Sequence, residues 1–265
     1  MNSFNSKLKS LIKDNKSCLC IGLDMNPESI GSDKISNLKE HTFNVIDVTR
    51  DLAIAYKPNF AFFERWGAAG FAWLEETVAY IGNDHIKIAD AKRGDIGNTA
   101  KQYAKSIFEH FNFDAVTLNP YMGRDSIEPF LDSGNKGVFI LCRTSNPSAF
   151  QFQGQLDDAN SIFRKVALMA NDLNIKENVG LVVGATAIEE LRVIKKIAPD
   201  LSLLIPGVGA QGGNLEDSVK IGNNTSSALI NVSRGISFAG NMSKKAIRKS
   251  AKNYVNQMEK FLNDK

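Results

Sequence analysis

The chain has 265 residues, of which 43% are hydrophobic and 23% charged, so its composition is that of a compact protein with a large core. Its 32 basic and 29 acidic residues give a net charge of +3, and the clearest basic run is "KKAIRKSAK" near the C-terminal end. This balance is too even to indicate a nucleic-acid-binding protein. No apolar run approaches the ~20 residues of a membrane span.

The N-terminal residues "MNSFNSKLKSLIKDNKS" contain no apolar segment of the kind found in a signal peptide. The cysteines are three in number, and Cys18 and Cys20 lack the CxxC spacing of a metal or redox pair. We therefore expect three reduced thiols in the core and a cytoplasmic protein.

Short apolar, β-branched runs that end in polar residues, Gly or Pro recur along the chain. In chain order they are "CLCIGLD", "LAIAYKPN", "IKIADAKRGD", "DAVTLNPY", "GVFILCRTSN", "VGLVVGAT", "LSLLIPGVGAQGG" and "SALINVSRGI". Between most of them lie segments with helical periodicity, such as 64–81 and 100–111. Eight alternating units in about 250 residues predict a single-domain (β/α)8 TIM barrel over residues 1–265. An open, doubly wound sheet is the alternative, but it would not require eight repeats.

Two connections at the C-terminal ends of predicted strands are unusual in composition. Residues Asn146 to Asp158 form the longest irregular connection and follow the fifth strand, and Gly207 to Gly213, "GVGAQGG", follow the seventh. In barrel enzymes the C-terminal ends of the strands form the active-site face. We therefore expect both loops to border a site.

Polar residues collect at that end of nearly every predicted strand. They are Asp24, Lys57, Asn59, Asp90, Asn119, Thr144, Ser145, Gln211, Ser233 and Arg234. Each has an ordinary interpretation when taken alone: a helix cap for Asp24, a turn residue for Asn119 or a surface ion pair for Arg234. Their convergence on one barrel mouth favours a binding site.

The stretch "DAKRGDIGNTA" places two carboxylates and two cations within six residues. Asp90 and Lys92 are two residues apart on a strand, so their side chains should leave the same face. Asp95 should lie on the following loop, with a helix beginning near Gly97 and Thr99 in its first turn. A solvated turn, with Asp95 stabilised by the helix dipole, is the alternative interpretation.

A lysine between two carboxylates is expected to stay protonated, because nearby opposite charges favour the ammonium form. Lys92 would then be a poor base and a ready acid. That suits a reaction in which carbanion character develops and is protonated in place, and it does not suit Schiff-base formation, which needs a neutral amine. The sequence favours proton transfer or decarboxylation.

The loops after the seventh and eighth strands often bind phosphate in barrels, through backbone N–H groups. Here they carry "PGVGAQGG" and "NVSRGI", in which Arg234 could add a charge-assisted contact. The P-loop pattern GxxxxGK[ST] is absent. We expect a phosphorylated small molecule as ligand.

"DAKRGDIGNTA" resembles the signature of the orotidine 5′-phosphate decarboxylase family. The resemblance extends over nearly the whole chain, through "IGLDMNPE", "YKPNFAFFE", "LNPYMGRDS", "CRTSNPSA", "LVVGAT", "LIPGVGAQGG" and "NVSRGI". The DxKxxD pattern is shared with sister decarboxylases and aldolases, whereas its combination with "GVGAQGG" is more specific. The sequences "KPNFAFFE" and "CRTSNPS" are similar to those of the longer-chain subgroup of this family.

The resemblance implies a (β/α)8 barrel that converts orotidine 5′-phosphate to UMP, the last step of pyrimidine biosynthesis, without a metal or organic cofactor. Asp90 would lie against the departing carboxylate, and Lys92 would stabilise and protonate the carbanion at C6. Lys57 would join Asp90, Lys92 and Asp95 in a charge network, and Lys57 and Asp24 would bind the ribose.

The resemblance also implies a homodimer, in which Asp95 and Thr99 reach into the site of the neighbouring subunit and contact the ribose 2′-hydroxyl. Thr144 or Ser145 would read the pyrimidine edge, and the sequence leaves open which of them does. The other implied contacts are Gln211, Arg234, Gly209 and Gly235 for the phosphate, Pro206 and Ile96 for the apolar wall, and Asn119 for the ribose or base.

Two other functions remain open from sequence. A sister barrel, a sugar-phosphate decarboxylase or aldolase, would use Mg²⁺ and needs an additional carboxylate near the end of the second strand. That place holds Lys57, and Glu64 is expected inside the next helix. A non-catalytic barrel that binds a phosphate ligand would have no need for Asp90, Lys92 and Asp95 at this spacing.

Overall fold

The computed structural model describes residues 3–155, 158–209 and 212–264. Eight parallel strands, each paired with the next along the chain and the eighth with the first, close into a barrel. The strands are β1 Leu19–Leu23, β2 Ala55–Pro58, β3 Ile86–Arg93, β4 Ala115–Leu118, β5 Gly137–Arg143, β6 Val179–Val183, β7 Ser202–Pro206 and β8 Ala228–Val232. Every strand lies within one of the runs expected from sequence, so the predicted (β/α)8 barrel is confirmed.

Helices surround the barrel and connect most of the strands. They are α1 Phe4–Asn15, α2 Pro27–Ile30, α3 Ile35–Thr49, α4 Ala61–Glu64, α5 Gly67–Ile81, α6 Gly97–Lys105, α7 Ala149–Gln153, α8 Ile162–Leu173, α9 Ile188–Ile197, α10 Leu215–Gly222, α11 Arg234–Ser237 and α12 Lys244–Asn263. Between β4 and β5 the chain forms only two 3-10 turns, 124–126 and 128–130.

The strands are apolar because both of their faces are covered. All residues of β1, β2, β4, β6 and β8 are buried, as expected when the barrel interior packs one face and the helices pack the other. The C-terminal ends of β3, β5 and β7 are less buried, which opens the barrel at that end. The barrel interior is therefore accessible to a small molecule at this mouth.

The helical periodicity predicted two helices well and missed a third. The segment 64–81 contains α5, and 100–111 is covered by α6 and a π-helical turn at 106–110. The loop Asn146 to Asp158 was expected to be irregular, but it contains the short helix α7. Five residues are too few for a 3.6-residue period to be recognised, so the prediction was wrong there.

Two further expectations concern the chain as a whole. The three cysteines are buried free thiols, as predicted. In the part of the chain that the structure describes, no helix has both the length and the apolar character needed to cross a membrane.

Candidate active site

The mouth of the barrel is centred on the carboxylate of Asp90, on β3. Lys57 Nζ, from the neighbouring strand β2, lies 2.5 Å from Asp90 Oδ2, and Lys92 Nζ lies 2.5 Å from Asp90 Oδ1. Thr117 on β4 donates from Oγ1 to Asp90 Oδ1 at 3.2 Å. Three adjacent strands thus place two ammonium groups and a hydroxyl on one carboxylate.

The electrostatics keep this cluster fully ionised. Burial by itself would raise the pKa of Asp90, but the adjacent ammonium groups of Lys57 and Lys92 outweigh it and hold the pKa well below its usual range. Burial would likewise lower the pKa of Lys57, and the carboxylates of Asp90 and Asp24 outweigh it and raise the pKa. Asp90 therefore stays an anion, and Lys57 a cation, across the neutral pH range.

The two lysines differ in their access to solvent. The Lys57 side chain is 5% exposed, whereas that of Lys92 is 51% exposed. Lys57 is thus sealed behind Asp90, and Lys92 faces the open mouth. Lys92 is therefore the more accessible of the two lysines to an incoming molecule.

Lys92 owes its position to a break in strand β3. Its φ is +46°, in the left-handed region that side chains rarely adopt, and the register to β4 shifts between Ala89 and Arg93. Its backbone N–H donates to Thr117 Oγ1 at 3.0 Å. Asp90 and Lys92 do meet, as expected from sequence, but regular strand alternation is not the reason. A bulge held by Thr117 turns Lys92 back onto Asp90.

Arg93 fixes the chain directly after this bulge. Its guanidinium lies between the rings of Phe60 and Tyr103, 5.2 and 5.1 Å from their centroids, and its Nη2 donates to Glu64 Oε1 at 2.6 Å. Its carbonyl accepts from the N–H of Asn119 at 2.7 Å. Arg93 therefore joins the end of β3 to α4, to α6 and to the end of β4.

The expectation that Lys92 lies between two carboxylates is wrong for the single chain. Asp95 Oδ1 accepts from the N–H of Ile96 at 2.8 Å, and among the described residues Asp95 forms no ion pair. Ile96 is 54% exposed and Thr99 is also exposed, at the start of α6. The turn at Gly94 and Gly97 directs this segment along the barrel rim, away from the cluster.

Asp24 and Ser233, which follow β1 and β8, carry oxygens without partners. Asp24 Oδ1 and Ser233 Oγ are shielded from solvent, and neither has a hydrogen-bond partner within residues 3–155, 158–209 and 212–264. The two strands approach closely here, since a Cβ on Gly22 would lie 2.8 Å from Ser233 Cβ. Buried polar atoms are nearly always paired, so these oxygens are suited to a hydrogen-bonding ligand.

Thr144 and Ser145, at the end of β5, differ in the hydrogen bonds of their hydroxyl groups. Thr144 Oγ1 donates to Asn146 Oδ1 at 2.6 Å and accepts from Gln153 Nε2 at 2.7 Å, while its backbone N–H donates to Gln153 Oε1 at 2.8 Å. Ser145 makes no side-chain hydrogen bond to any described residue. The hydroxyl of Thr144 is thus occupied by α7, and that of Ser145 is available.

The loops after β7 and β8 form the opposite side of the mouth. Gly207, Gly209 and Gly212 have φ values of +99°, +79° and +76°, which only glycine adopts without strain. Arg234 is exposed and forms no ion pair with the residues that the structure describes. Pro206 ends β7 and Gly235 lies in α11, whereas the predicted phosphate ligand Gln211 lies outside the described residues.

Asn119 is engaged within its own turn. Its Oδ1 accepts from the N–H of Tyr121 at 3.0 Å, across Pro120. This is the turn contact that the sequence offered as one interpretation. A contact with ribose or base stays a prediction.

Three residues near the mouth were not found from sequence: Thr117, Gln153 and Tyr254. Thr117 could have been noticed as the one hydroxyl in the apolar strand "AVTL". Gln153 and Tyr254 lie on helices, where no sequence pattern indicates which loop they touch. Within the described stretches, no group of three or more His, Cys, Asp or Glu side chains is arranged to hold a metal ion.

A (β/α)8 barrel with a Lys–Asp–Lys cluster at its mouth and glycine-rich loops after β7 and β8 defines a class of barrel enzymes that act on phosphorylated small molecules. Residues 17–249 match the sequence model of the "Orotidine 5'-phosphate decarboxylase / HUMPS family". The chain therefore belongs to this family, as its resemblance indicated.

Individual relatives agree with the family match. The orotidine 5′-phosphate decarboxylase of Herpetosiphon aurantiacus is 43% identical over 260 residues, which cover 95% of this chain and 96% of that protein. The one of Halorubrum lacusprofundi is 46% identical over 250 residues, covering 90% and 88%. The solved structure of Leishmania donovani OMP decarboxylase superposes with a TM-score of 0.87 at 38% identity, covering 98% of this chain and 99% of that one.

Proposed function

We propose that this protein decarboxylates orotidine 5′-phosphate to UMP, the last step of pyrimidine biosynthesis, without a metal or organic cofactor. The observation that carries the proposal is the anionic Asp90 held between Lys57 and the open ammonium of Lys92. The substrate is inferred from the relatives, which are named orotidine 5′-phosphate decarboxylases. The alignments with this chain cover 96% and 88% of their length.

In the proposed reaction the C6 carboxylate of the substrate lies beside Asp90. Repulsion between two carboxylates is relieved when the bond from C6 to the carboxyl carbon breaks and CO2 leaves, with the electron pair remaining on C6. The ammonium of Lys92 stabilises this developing charge and then donates a proton to C6. The lysine regains its proton from water after UMP departs.

The exposures of the two lysines support different proposed roles. Lys92, half exposed, is the proton donor, whereas the sealed Lys57 keeps Asp90 charged and in place. A reaction that forms a carbanion without a conventional electron sink needs a large differential stabilisation, up to ~23 kcal/mol in proficient enzymes. A preorganised and fully ionised cluster is the arrangement that supplies such stabilisation without reorganisation.

The remaining side chains are proposed to bind the rest of the substrate. Asp24, with its unpartnered oxygen, accepts from a ribose hydroxyl, and the ammonium of Lys57, which interacts electrostatically with Asp24, donates to one. Ser145 reads the pyrimidine edge, because the hydroxyl of Thr144 is occupied by Gln153 and Asn146. The further proposed contacts are Arg234, Gln211, Gly209 and Gly235 for the phosphate, with Pro206 and Ile96 for the apolar wall.

We further propose a homodimer in which Asp95 and Thr99 complete the partner's site. Asp95 is half-buried and Thr99 exposed, and Asp95 is not paired with Lys92 of its own chain. Ile96, in the same segment, exposes an apolar side chain, which is typical of a surface that a partner covers. A second carboxylate for Lys92 would then come from the other subunit.

The geometry disfavours the magnesium-dependent sister reaction. Glu64, the nearest acidic residue after β2, is bound to Arg93, and the end of β2 presents Lys57. A dication would meet an ammonium group at this position. We expect turnover to persist after exhaustive chelation, and loss of turnover that added Mg²⁺ restores would favour the sister reaction.

One domain over residues 1–265 and a cytoplasmic location complete the proposal. All eight strands close a single barrel, and the three free thiols fit a reducing compartment.

The direct test follows the fall in orotidine 5′-phosphate absorbance for the wild type and for Lys92→Ala. We expect turnover by the wild type and a loss of at least about 10³-fold in the variant, since both charge stabilisation and the proton donor are removed. Lys87→Ala, at a buried lysine of the same strand that makes no contact with Asp90, serves as the control. An inactive wild type, or an unimpaired Lys92→Ala, would refute the assignment.

A further inference from the structure

The C-terminal helix α12 brings a tyrosine hydroxyl between the two loops that follow β7 and β8. A Cβ built on Gly209 would lie 2.7 Å from the hydroxyl oxygen of Tyr254, and a Cβ built on Gly235 would lie 2.9 Å from the same atom. Both distances are shorter than real Cβ contacts. The hydroxyl thus occupies the space in which either residue would carry a side chain, and at Gly209 the φ of +79° also favours glycine.

The position of this hydroxyl is fixed by its helix. Ser250 lies four residues before Tyr254, one helical turn away on the same face of α12, and donates from Oγ to the carbonyl of Gly235 at 2.7 Å. The ring of Tyr254 is half-buried and packs against the core. The helix is therefore attached to the loop after β8, and the tyrosine has little freedom to leave the gap.

The hydroxyl is available as a donor. No residue in the stretches 3–155, 158–209 and 212–264 accepts a hydrogen bond from Tyr254, although a partly buried tyrosine hydroxyl usually finds a partner. The same gap is bordered by Gly209 and Gly235, which are proposed to bind phosphate, and Arg234, which forms no ion pair with a described residue, directly precedes Gly235 in the chain. A phosphate oxygen placed among these groups would supply the missing acceptor.

We propose that Tyr254 is a phosphate-binding residue, whose O–H donates to a phosphate oxygen of the ligand. This inference rests on the proposed function and adds to the proposed phosphate site a side chain from the C-terminal helix. A charged acceptor strengthens the hydrogen bond, and the neutral donor complements the cationic Arg234. The alternative is a spacer that only holds the two loops apart.

Tyr254→Phe tests the proposal because it removes the hydroxyl and keeps the ring. We expect KM for orotidine 5′-phosphate and Kd for UMP, measured by calorimetry, to rise about 10-fold or more, as for the loss of a hydrogen bond to a charged group. kcat/KM for orotidine, which lacks the phosphate, should change less than about twofold. Tyr80→Phe, which removes a hydroxyl on the outer helix α5, is the matched control.

The outcomes are distinguishable. Unchanged KM and Kd, or equal losses with orotidine and its phosphate, would overturn the proposal in favour of no role or of a spacer. If the wild type does not turn over orotidine 5′-phosphate, the proposed function fails, while UMP calorimetry still reports on Tyr254. Should Tyr254→Phe fold poorly, Tyr254→Leu also removes the hydroxyl while keeping an apolar side chain against the core, and it must produce the same phosphate-selective loss.

Discussion

Asp90 makes two ion pairs of equal length, but they differ in solvent exposure and in their expected effect on stability. The pair with Lys57 is sealed in the barrel, and the pair with Lys92 is open to solvent on the lysine side. A buried carboxylate is tolerated only while it is paired, because desolvation of an isolated charge is costly. Lys57 therefore contributes to stability as well as to function, whereas Lys92 can be dedicated to the reaction.

Replacement of Lys57 is expected to cost stability. Lys57→Met leaves Asp90 buried with a single, partly exposed cation, and we expect the free energy of unfolding to fall by about 3–5 kcal/mol, as for other broken buried pairs. Urea unfolding measures the change. Lys87→Met is the matched control, since Lys87 is equally buried on β3 but its ammonium contacts only Asn83, at 3.4 Å. Equal stability of both variants would contradict this role of Lys57.

The pKa of Asp90 also predicts a pH dependence. Because the folded-state pKa is depressed below the ordinary value of about 3.9, the stabilisation from Asp90 is fully present above that pH and is lost progressively below it. The stability advantage of the wild type over Asp90→Asn should thus be constant from pH 7 to about pH 5. It should then shrink by up to about 1.4 kcal/mol per pH unit below about pH 4. Urea unfolding at each pH measures the difference, and a gap that stays constant to pH 3 would disprove the depressed pKa of Asp90.

At the scale of secondary structure, the reactive lysine is placed by an irregular strand end. Lys92 adopts a positive φ in a bulge, and Arg93 holds the next residue between two aromatic rings and Glu64. Strain of this kind persists only where the surroundings impose it, and it concentrates at functional sites. We therefore expect Arg93 to be a positioning residue, which affects the reaction through the placement of Lys92.

Substitution of Arg93 should impair chemistry more than binding. In Arg93→Met the ion pair with Glu64 and the charge between the rings are lost, and we expect kcat to fall about 10- to 100-fold with KM changed less than about threefold. Arg93→Lys should restore part of kcat, because a cation can still meet Glu64. Arg124→Met, which breaks the surface pair with Glu128, is the control and should leave kcat unchanged. A variant of Arg93 that changes KM alone would exclude the positioning role.

The sequence predicted the eight strands and the helical segments 64–81 and 100–111, because apolar runs and 3.6-residue periods are local signals. It also predicted that four side chains lie together at one end of the barrel, because the C-terminal ends of parallel strands converge there. They are Asp24, Lys57, Asp90 and Lys92. It could not predict the bulge at Lys92, which depends on Thr117 of another strand. The same limit applies to the contact of Gln153 with Thr144 and to the place of Tyr254, because both are tertiary contacts between distant segments.

At the scale of the whole molecule, the proposed site draws residues from two chains. Lys92 has one carboxylate partner in its own barrel, and the segment with Asp95 and Thr99 lies on the exposed rim. A two-fold dimer with this rim at the interface would exchange the two segments, so that each gives the other's Lys92 a second carboxylate. The charge network expected from sequence would then belong to the assembly.

Mixing inactive variants tests whether the site is shared. In a heterodimer of Lys92→Ala and Asp95→Ala chains, one site carries both substitutions and the other carries neither. After joint unfolding and refolding of equal amounts, half of the molecules should be heterodimers with one intact site, so we expect about a quarter of wild-type activity. The mixture of Lys92→Ala with Asp90→Ala is the control. Both of those residues act in their own barrel, so no site is restored. Recovery in the first mixture no greater than in the control would show that each barrel works with its own Asp95.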